Sequence, residues 1–148
     1  MRVVVQRVAR AAVRRVDVQP PVEAGIGPGL LLLVGFRAED DRAALSWMAD
    51  KCLGLRIFAD AAGALNVSVV ESQGAILAVP NFTLYGDARK GRRPSFTEAA
   101  PPERAAELFA AFVAELRRGP VTVEAGFFQA RMQIELVNDG PVTLVLER

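Results

Sequence analysis

The stretch Gly29-Leu30-Leu31-Leu32-Leu33-Val34-Gly35-Phe36 decides the fold, because it carries no polar side chain. A strand with one face in water alternates apolar and polar residues, so this run predicts a strand from Leu30 to Phe36 that is buried on both faces. Asp40 or Asp41 then caps a helix whose apolar residues recur at three- and four-residue spacing as far as about Arg56. The protein therefore combines a buried sheet with an amphipathic helix.

The rest of the chain is rich in strands and adds one more helix. A Val-rich strand starts at the first residue, and a second helix opens at Pro101 and Pro102 and runs to about Arg118. Together the patterns predict about seven or eight strands and two main helices. Because strands and helices do not alternate regularly, we expect a single α+β domain, residues 1–148, with a largely antiparallel or mixed sheet.

Histidine is absent, and Cys52 is the single cysteine of the 148 residues. This composition excludes a Ser-His-Asp triad, a Cys-His dyad, a zinc site that uses histidine and an internal disulfide framework. Any catalysis must rely on carboxylates, hydroxyls, lysine, backbone dipoles or the substrate itself. We expect no cofactor and no metal.

Charge and hydropathy limit the partners and the location. The formal net charge of +1 gives no general basic field, so any RNA contact must be local. The segment Met1–Val8 contains two arginines and lacks the apolar core and cleavage site of a signal peptide. The longest apolar run, around Gly29 to Phe36, is too short to span a membrane. We expect a cytoplasmic protein without a membrane partner.

The densest basic run is the loop Ala88–Pro94, in which Arg89, Lys90, Arg92 and Arg93 place four cations in five residues. Arginine and lysine beside a glycine can approach a phosphate backbone closely, which favours a phosphate-contacting loop. A solvated surface turn fits the same residues equally well, so composition alone leaves both interpretations open.

Two further segments carry polar groups where strands are expected to end. Asn138-Asp139-Gly140-Pro141 is typical of an ordinary hairpin turn between a strand over Arg131–Val137 and a last strand over Val142–Leu146. Pro80 cannot donate to a sheet ladder, so Pro80–Leu84 is expected at a strand end, an edge or a bulge. By themselves these residues do not predict a site.

Several blocks of sequence, spread over nearly the whole chain, occur in a familiar order. They are Met1–Val8 (MRVVVQRV), Gly25–Leu30 (GIGPGL), Leu55–Phe58 (LRIF), Asn66–Val69 (NVSV), Phe82–Gly91 (FTLYGDARKG), Arg93–Phe96 (RPSF) and Leu136–Leu144 (LVNDGPVTL). Together they resemble the D-aminoacyl-tRNA deacylase family, also called the D-tyrosyl-tRNA deacylases.

The resemblance implies a compact β-barrel-like α+β fold, a homodimer, and aminoacyl-tRNA as the partner. In the family a motif Asn-x-Gly-Pro-x-Thr, whose Gly-Pro bond is cis, projects into the pocket of the partner subunit. On this chain the motif is Asn138, Gly140, Pro141 and Thr143. The carbonyls of Gly140 and Pro141 would crowd the substrate α-carbon, so an L side chain would clash while a D side chain or glycine would fit.

The family's other motif, Ser-Gln-x-x-Leu, lies in the pocket for the 3′ end of the tRNA, and here this chain departs from it. Pro80 and Asn81 replace Ser-Gln, and Phe82, Thr83 and Leu84 follow as in the family. Proline offers neither a hydroxyl nor a backbone N–H, and asparagine is one methylene shorter than glutamine. We expect Asn81, Phe82 and Thr83 to be the catalytic groups, with the backbone N–H groups of the last two donating to the oxyanion because Pro80 has none to offer. Pro80 and Leu84 are expected to bind the substrate.

The implied activity is hydrolysis of the ester bond of mischarged D-aminoacyl-tRNA and of Gly-tRNA, with L-aminoacyl-tRNA rejected sterically. The Pro80-Asn81 change leaves two alternatives open: a deacylase of relaxed chirality that accepts small L-aminoacyl-tRNA, or a non-catalytic homologue that binds the tRNA end. In each case the basic run gains a role, with Arg89, Lys90, Arg92 and Arg93 contacting phosphates near the acceptor end.

Overall fold

The strand β1 (Arg2–Arg15) lies at the centre of the sheet. In the computed structural model, which describes all 148 residues, one edge of β1 pairs first with β3 (Gly29–Gly35) and then with β2 (Val22–Ile26). Its other edge pairs with β8 (Met132–Glu147) along almost its whole length. All three pairings are antiparallel. The all-apolar run predicted as a buried strand is β3.

Beyond β3 the sheet becomes parallel. The strand β6 (Ala75–Pro80) runs parallel to β3, and the short strand β7 (Val123–Ala125) runs parallel to β6. A separate two-stranded hairpin is formed by β4 (Phe58–Ala59) and β5 (Leu65–Val67). The predicted mixed sheet is therefore confirmed.

Two α-helices join the sheet, as the sequence predicts. The first, α1 (Arg42–Gly54), is capped by Asp41, whose side chain accepts a hydrogen bond from the Ala44 N–H at 2.8 Å. The second, α2 (Pro102–Leu116), starts at a proline whose missing N–H would have had no partner in a first helical turn. Neither is long and apolar enough to cross a membrane.

Apolar side chains form a core on each face of the sheet. The larger core lies between the sheet and the helices and includes Val3, Val5, Leu32, Phe112 and Leu116. The smaller core lies on the opposite face and includes Val8, Ala11, Val13, Leu31, Leu77 and Val79, with side chains of β2 and β8 packed against it. The register of β1 against β8 shifts between these two parts of β1. The sheet curls around the smaller core, which confirms the barrel-like form.

Candidate active site

The chain turns sharply where β6 ends, at Pro80–Tyr85, which we call the strand-end turn; its last four residues form a 3₁₀ helix. On the β3 side, the Asn81 N–H donates to the Val34 carbonyl at 2.7 Å. The N–H that Pro80 lacks would point to the other side, towards Gly126, whose own N–H donates to the Ala78 carbonyl at 2.7 Å. Because proline cannot donate there, the β6–β7 ladder stops at this point, and the predicted strand end is confirmed.

The internal hydrogen bonds of the strand-end turn leave two backbone donors unused. The first hydrogen bond within the turn runs from the Leu84 N–H to the Asn81 carbonyl at 3.3 Å. The N–H groups of Phe82 and Thr83 come before it in the chain and have no carbonyl partner. The Thr83 hydroxyl donates to Oδ1 of Asn81 at 2.5 Å. The turn thus presents two consecutive N–H groups. It also presents a hydroxyl and a side-chain amide that are hydrogen-bonded to each other.

Arg2 fixes the strand-end turn from outside. Its guanidinium donates to the Leu84 carbonyl at 2.6 Å and pairs with Glu147 at 2.8 Å. The guanidinium carbons of Arg2 and Arg37 lie 4.9 and 5.0 Å from the centre of the Tyr85 ring. Burial raises the pKa of Tyr85 to about 12, so the hydroxyl stays neutral at physiological pH. These contacts anchor the end of the turn to the sheet.

A cavity of about 870 Å³ opens beside the strand-end turn. Pro80, Asn81 and Phe82 line one side, and the other walls come from the start of α2 and the segment between β7 and β8. The only polar side chains in the walls are those of Asn81, Thr97 and Gln129, and none of the lining residues is ionisable. A molecule bound here meets apolar surface, amides, a hydroxyl and backbone groups, and no side chain able to exchange a proton near neutral pH.

The Asn138–Thr143 segment is a bulge inside a strand, which corrects the predicted hairpin turn. The strand β8 continues through it, antiparallel to β1 on both sides. Gln6 pairs with Thr143 and Val8 with Asn138, so four residues of β8 stand opposite Arg7 alone. Within this strand bulge the Gly140–Pro141 bond is cis and Gly140 has a φ of 124°. The extra residues project from the sheet without reversing the chain.

Two side chains hold the strand bulge in shape. Asn138 bridges it by donating from Nδ2 to the Val142 carbonyl at 3.2 Å and accepting from the Val142 N–H at 3.1 Å. Arg7, whose side chain is only 12% exposed, donates to the carbonyls of Asp139 at 3.1 Å and Ile57 at 2.6 Å. It also forms an ion pair with the Asp139 carboxylate at 3.2 Å. Its clamp therefore reaches from β1 across the bulge to the chain after α1.

The two predicted motifs do not meet within one chain. Of the residues predicted for the site, Pro80, Asn81 and Phe82 line the cavity, whereas Thr83, Leu84 and all of Asn138–Thr143 lie outside its walls. Along β8, Ile134 lines the cavity and Gly140 comes six residues later, which is roughly 20 Å of extended chain. A single subunit thus carries a cavity at one place and the strand bulge at another.

The loop Ala88–Pro94, called the basic loop below, is closed at its base and clamped at one arginine. Asp87 and Ser95 exchange two backbone hydrogen bonds of 2.7 and 2.8 Å that bracket the loop. Asp87 also grips Arg89 through Nε at 2.9 Å and a terminal nitrogen at 2.8 Å. These hydrogen bonds lower the pKa of Asp87 to about 2. Arg89 therefore helps to shape the loop.

The other three cations of the basic loop have no acidic partner. Lys90, Arg92 and Arg93 are exposed, and none of them takes part in an ion pair or a side-chain hydrogen bond. They are available to a phosphate, as the predicted role requires.

Sequence patterns missed several residues that line the cavity. Phe96 follows the basic loop, Phe127 and Gln129 lie between β7 and β8, and Met132 and Ile134 begin β8. Gln129 adopts a φ of 50°, a conformation that residues other than glycine rarely adopt. Two adjacent phenylalanines before a short break were the only local signal, and they fit a strand equally well.

Comparisons with known proteins agree over the whole chain. Residues 4–147 match the family model described as D-Tyr-tRNA(Tyr) deacylase. A D-aminoacyl-tRNA deacylase of Carboxydothermus hydrogenoformans is 52% identical over 147 residues, which are 99% of this chain and 99% of that protein. A D-aminoacyl-tRNA deacylase of Desulfitobacterium hafniense is 54% identical over 147 residues, which are 99% of this chain and 97% of that protein.

Solved structures show the same fold. One described as a c-Myc DNA unwinding element binding protein has a TM-score of 0.91 and 39% identity, covering 100% of this chain and 99% of its own. One described as a probable eukaryotic D-amino acid tRNA deacylase has a TM-score of 0.81 at 21% identity, covering 98% of this chain and 97% of its own. The second likeness is one of fold alone.

Proposed function

Because this chain belongs to the D-aminoacyl-tRNA deacylase family, it is an enzyme that hydrolyses the ester bond of mischarged D-aminoacyl-tRNA, and we propose that the strand-end turn holds that ester. The observation that carries the proposal is a cavity wall without ionisable side chains. An aminoacyl ester is already activated, so its site must supply placement and stabilisation of charge more than a strong nucleophile. Amides, a hydroxyl and free N–H groups meet that need.

In this mechanism the free N–H groups of Phe82 and Thr83 donate to the ester carbonyl oxygen as it becomes an oxyanion. A water oxygen attacks the carbonyl carbon, the bond to the ribose 3′ oxygen breaks, and that oxygen leaves with a proton. Activation of the water is assigned, as the resemblance to the family implies, to the neighbouring 2′-hydroxyl of the substrate itself, and a cavity without a side-chain base fits that assignment. The enzyme's contribution is then geometric and electrostatic.

Thr83 acts as a positioning group in this proposal. Its hydroxyl donates to Asn81, and no carboxylate, lysine or histidine accepts its proton. A hydroxyl without an adjacent base is a weak nucleophile. The pair Thr83–Asn81 therefore serves to fix the amide of Asn81 and the backbone of the turn.

The Pro80-Asn81 departure bears on the rate. Pro80 has no N–H to offer on the side of the cavity, so the oxyanion donors are limited to the N–H groups that follow it. Losing one oxyanion donor typically costs about a hundredfold in rate. If the family's serine supplies such a donor, this enzyme is slower than its relatives by about that factor.

We propose a homodimer in which the strand bulge of one subunit enters the cavity of the other. The strand β8 pairs with β1 on one edge and leaves its other edge unpaired. That strand also exposes large apolar side chains, namely Ile134, Val137, Leu144 and Val145. A long exposed edge strand is normally covered, and a second copy related by a two-fold axis covers it with the same surface. Such a copy brings its own bulge with it.

Chirality is then decided by exclusion. Carbonyls of Gly140 and Pro141 from the second subunit crowd the substrate α-carbon, so D-aminoacyl esters and glycyl esters fit and L-aminoacyl esters clash. Asn138 supports this gate by bridging the bulge, and Thr143 ends it, held by Gln6 at 3.2 Å. The gate needs no pocket for any particular side chain, which suits a range of D-amino acids.

The basic loop contacts phosphates near the acceptor end, with Lys90, Arg92 and Arg93 as the binding cations and Arg89 as the residue that closes the loop. Reversing one free cation weakens tRNA binding and lowers the slope of log affinity against log salt by about one. An affinity that stays the same at several salt concentrations contradicts this role.

Since charged tRNA is made and used in the cytoplasm, we place the enzyme there.

One assay tests the reaction and its selectivity: ester loss is followed for D-Tyr-tRNA, Gly-tRNA and L-Ala-tRNA. We expect turnover of the first two and none of the third beyond the uncatalysed rate. Turnover of L-Ala-tRNA alone would defeat the proposed gate and favour a relaxed deacylase. No turnover of any substrate would mean that a non-catalytic protein binds the tRNA end.

Subunit mixing tests the shared site. A Thr83→Pro variant removes an N–H donor from the strand-end turn, and a Gly140→Ala variant deforms the strand bulge, so each homodimer is expected to be inactive. A mixed dimer contains one site built from an intact turn and an intact bulge, and about half of the activity per dimer returns. If turn and bulge came from one chain, mixing would restore nothing.

A further inference from the structure

Two exposed phenylalanine rings lie at the strand-end turn. Phe82 is 57% exposed and Phe96 is 37% exposed. Their ring centres are 5.2 Å apart with the planes at 65°, an edge-to-face contact. We call Phe82 and Phe96 the aromatic pair. Because the pair leaves aromatic surface open to water at the cavity, it is available to a flat ligand.

Local structure keeps the aromatic pair in place. A Cβ on Gly86 would lie 2.9 Å from the Phe96 ring and 3.0 Å from the Thr83 carbonyl, so only glycine lets the ring lie against the turn. The Asp87–Ser95 bridge ends one residue before Phe96 and fixes its backbone. The pair is therefore ordered before any ligand arrives, which lowers the entropy cost of binding.

The aromatic pair lies between two parts of the proposed RNA path. Both rings line the cavity, and Phe82 also belongs to the strand-end turn that we propose holds the ester. Phe96 also lies two residues beyond the end of the basic loop, where Lys90, Arg92 and Arg93 are unpaired cations. A single RNA strand held by its phosphates at the loop and by its last nucleoside in the cavity must pass the pair.

We propose that the aromatic pair is the stacking platform for the penultimate base of the tRNA 3′ end. This inference rests on the proposed function, since it assumes that the terminal, ester-bearing nucleoside occupies the cavity. The base of the preceding nucleotide then lies between the cavity and the loop cations. Aromatic side chains bind unstacked bases of single strands in this way, and any base has a face to offer. The platform explains why apolar rings stay exposed next to cations.

The test uses three D-tyrosyl esters that differ by one part at a time. They are the ester of adenosine, the ester of the dinucleotide cytidylyl-adenosine, and the ester of the same dinucleotide with an abasic first sugar. The last two carry the same phosphate, so the ratio of their kcat/KM values isolates the base. We expect the intact dinucleotide to be favoured by about tenfold to a hundredfold.

Variants then assign that preference to the rings. Phe82→Leu and Phe96→Leu keep apolar bulk and backbone N–H groups, and both are expected to reduce the preference for the base to below about threefold. Phe82→Trp keeps a stacking face and is expected to retain it. Trp47→Leu is the matched control, because Trp47 is an exposed aromatic residue on α1 outside the cavity. Its base preference stays at the wild-type value.

Several results would overturn the platform. If both leucine variants keep the wild-type preference for the base, the aromatic pair does not contact the RNA strand. An equal loss on the adenosine ester and on the dinucleotide means that the rings hold the terminal nucleoside. A shift of the leucine variants to monomers in light scattering means that a second protein copy covers the rings. Failure of the wild type to cleave any of the three esters would instead count against the proposed function.

Discussion

The strand-end turn and the strand bulge both present backbone groups to the substrate in our proposal, yet they are built in opposite ways. The turn forms where β6 stops, and its own residues close it: Leu84 bonds back to Asn81, and Thr83 holds the Asn81 amide. The bulge forms where β8 continues, and Arg7 from another strand holds it open. A site made by ending a strand tolerates a change such as Pro80, because the ladder stops there and no later pairing of β6 depends on it. A site made by interrupting a strand depends on residues distant in sequence.

The largest expected effect comes from Gly140→Ala in the strand bulge. A Cβ there would lie 2.9 Å from an Arg7 nitrogen and 3.1 Å from the Val142 nitrogen, and a φ of 124° is rarely open to an L residue. We expect turnover of D-Tyr-tRNA to fall by about a hundredfold, because a displacement of about 1 Å at a site costs that much. Single-turnover kinetics measure the loss.

The matched control is Gly63→Ala in the β4–β5 hairpin. Gly63 also has a positive φ, of 81°, but nothing lies within 4 Å of its missing Cβ. This variant is expected to lose about 1 kcal/mol of stability and none of its activity. Equal activity of the two variants would show that the bulge has no catalytic part.

The second prediction removes the Arg7 clamp while leaving the residues of the strand bulge itself unchanged. Arg7→Met takes away donors to the Ile57 and Asp139 carbonyls in a part-buried place, and we expect the free energy of unfolding to fall by about 3 kcal/mol. Arg14→Met is the control, because Arg14 is more than half exposed and makes one ion pair with Glu23, which contributes less than about 1 kcal/mol. Urea denaturation compares them, and similar losses would contradict the clamp.

The third prediction applies the same change to the strand-end turn. Arg2→Met removes the donor to the Leu84 carbonyl, but the internal bonds of the turn stay. We therefore expect kcat to fall only about tenfold, the kinetic equivalent of one charge-assisted hydrogen bond, with KM within about twofold. Arg2→Lys is expected to recover part of the rate. A rise in KM with unchanged kcat would show that Arg2 serves binding and not the position of the turn.

The smallest effect concerns the basic loop, which, like the turn, is closed by neighbours in sequence. Hydrogen bonds from Arg89 hold the pKa of Asp87 at about 2, below its ordinary value of 3.8. A lowered carboxyl pKa means that the Asp87–Arg89 contact is complete above about pH 4 and is lost as the pH falls towards 2. The NMR signal of the Arg89 side chain is expected to titrate with a midpoint near 2. A midpoint near the ordinary value would contradict the clamp.

The contrast also explains what the sequence could predict. The strand end at Pro80 and the cap at Asp41 depend on local chemistry, namely a missing N–H and a carboxylate three residues before an N–H, so both were predictable. The buried strand was predictable because a short all-apolar run is compatible with few structures other than a strand buried on both faces. The mixed sheet followed from the irregular order of strands and helices.

The strand bulge was not predictable, because its residues are those of an ordinary turn. Asn138, Asp139 and Gly140 favour chain reversal wherever they occur, and only the pairing of β8 with a fourteen-residue β1 keeps the chain straight. The walls of the cavity escaped prediction for a related reason. Phe96 and Ile134 are thirty-eight positions apart, and their proximity is a property of the curled sheet and the chain around it.

The register of β8 has a consequence for how such proteins diverge. Gln6 and Val8 of β1 stay paired on either side of Arg7 although four residues of β8 loop out opposite it. Both flanking ladders therefore keep their partners when a side chain at the tip changes. Selection can thus adjust the chemistry of the projecting element independently of the scaffold, as long as the spacing of the Asn-x-Gly-Pro-x-Thr motif that shapes it is kept.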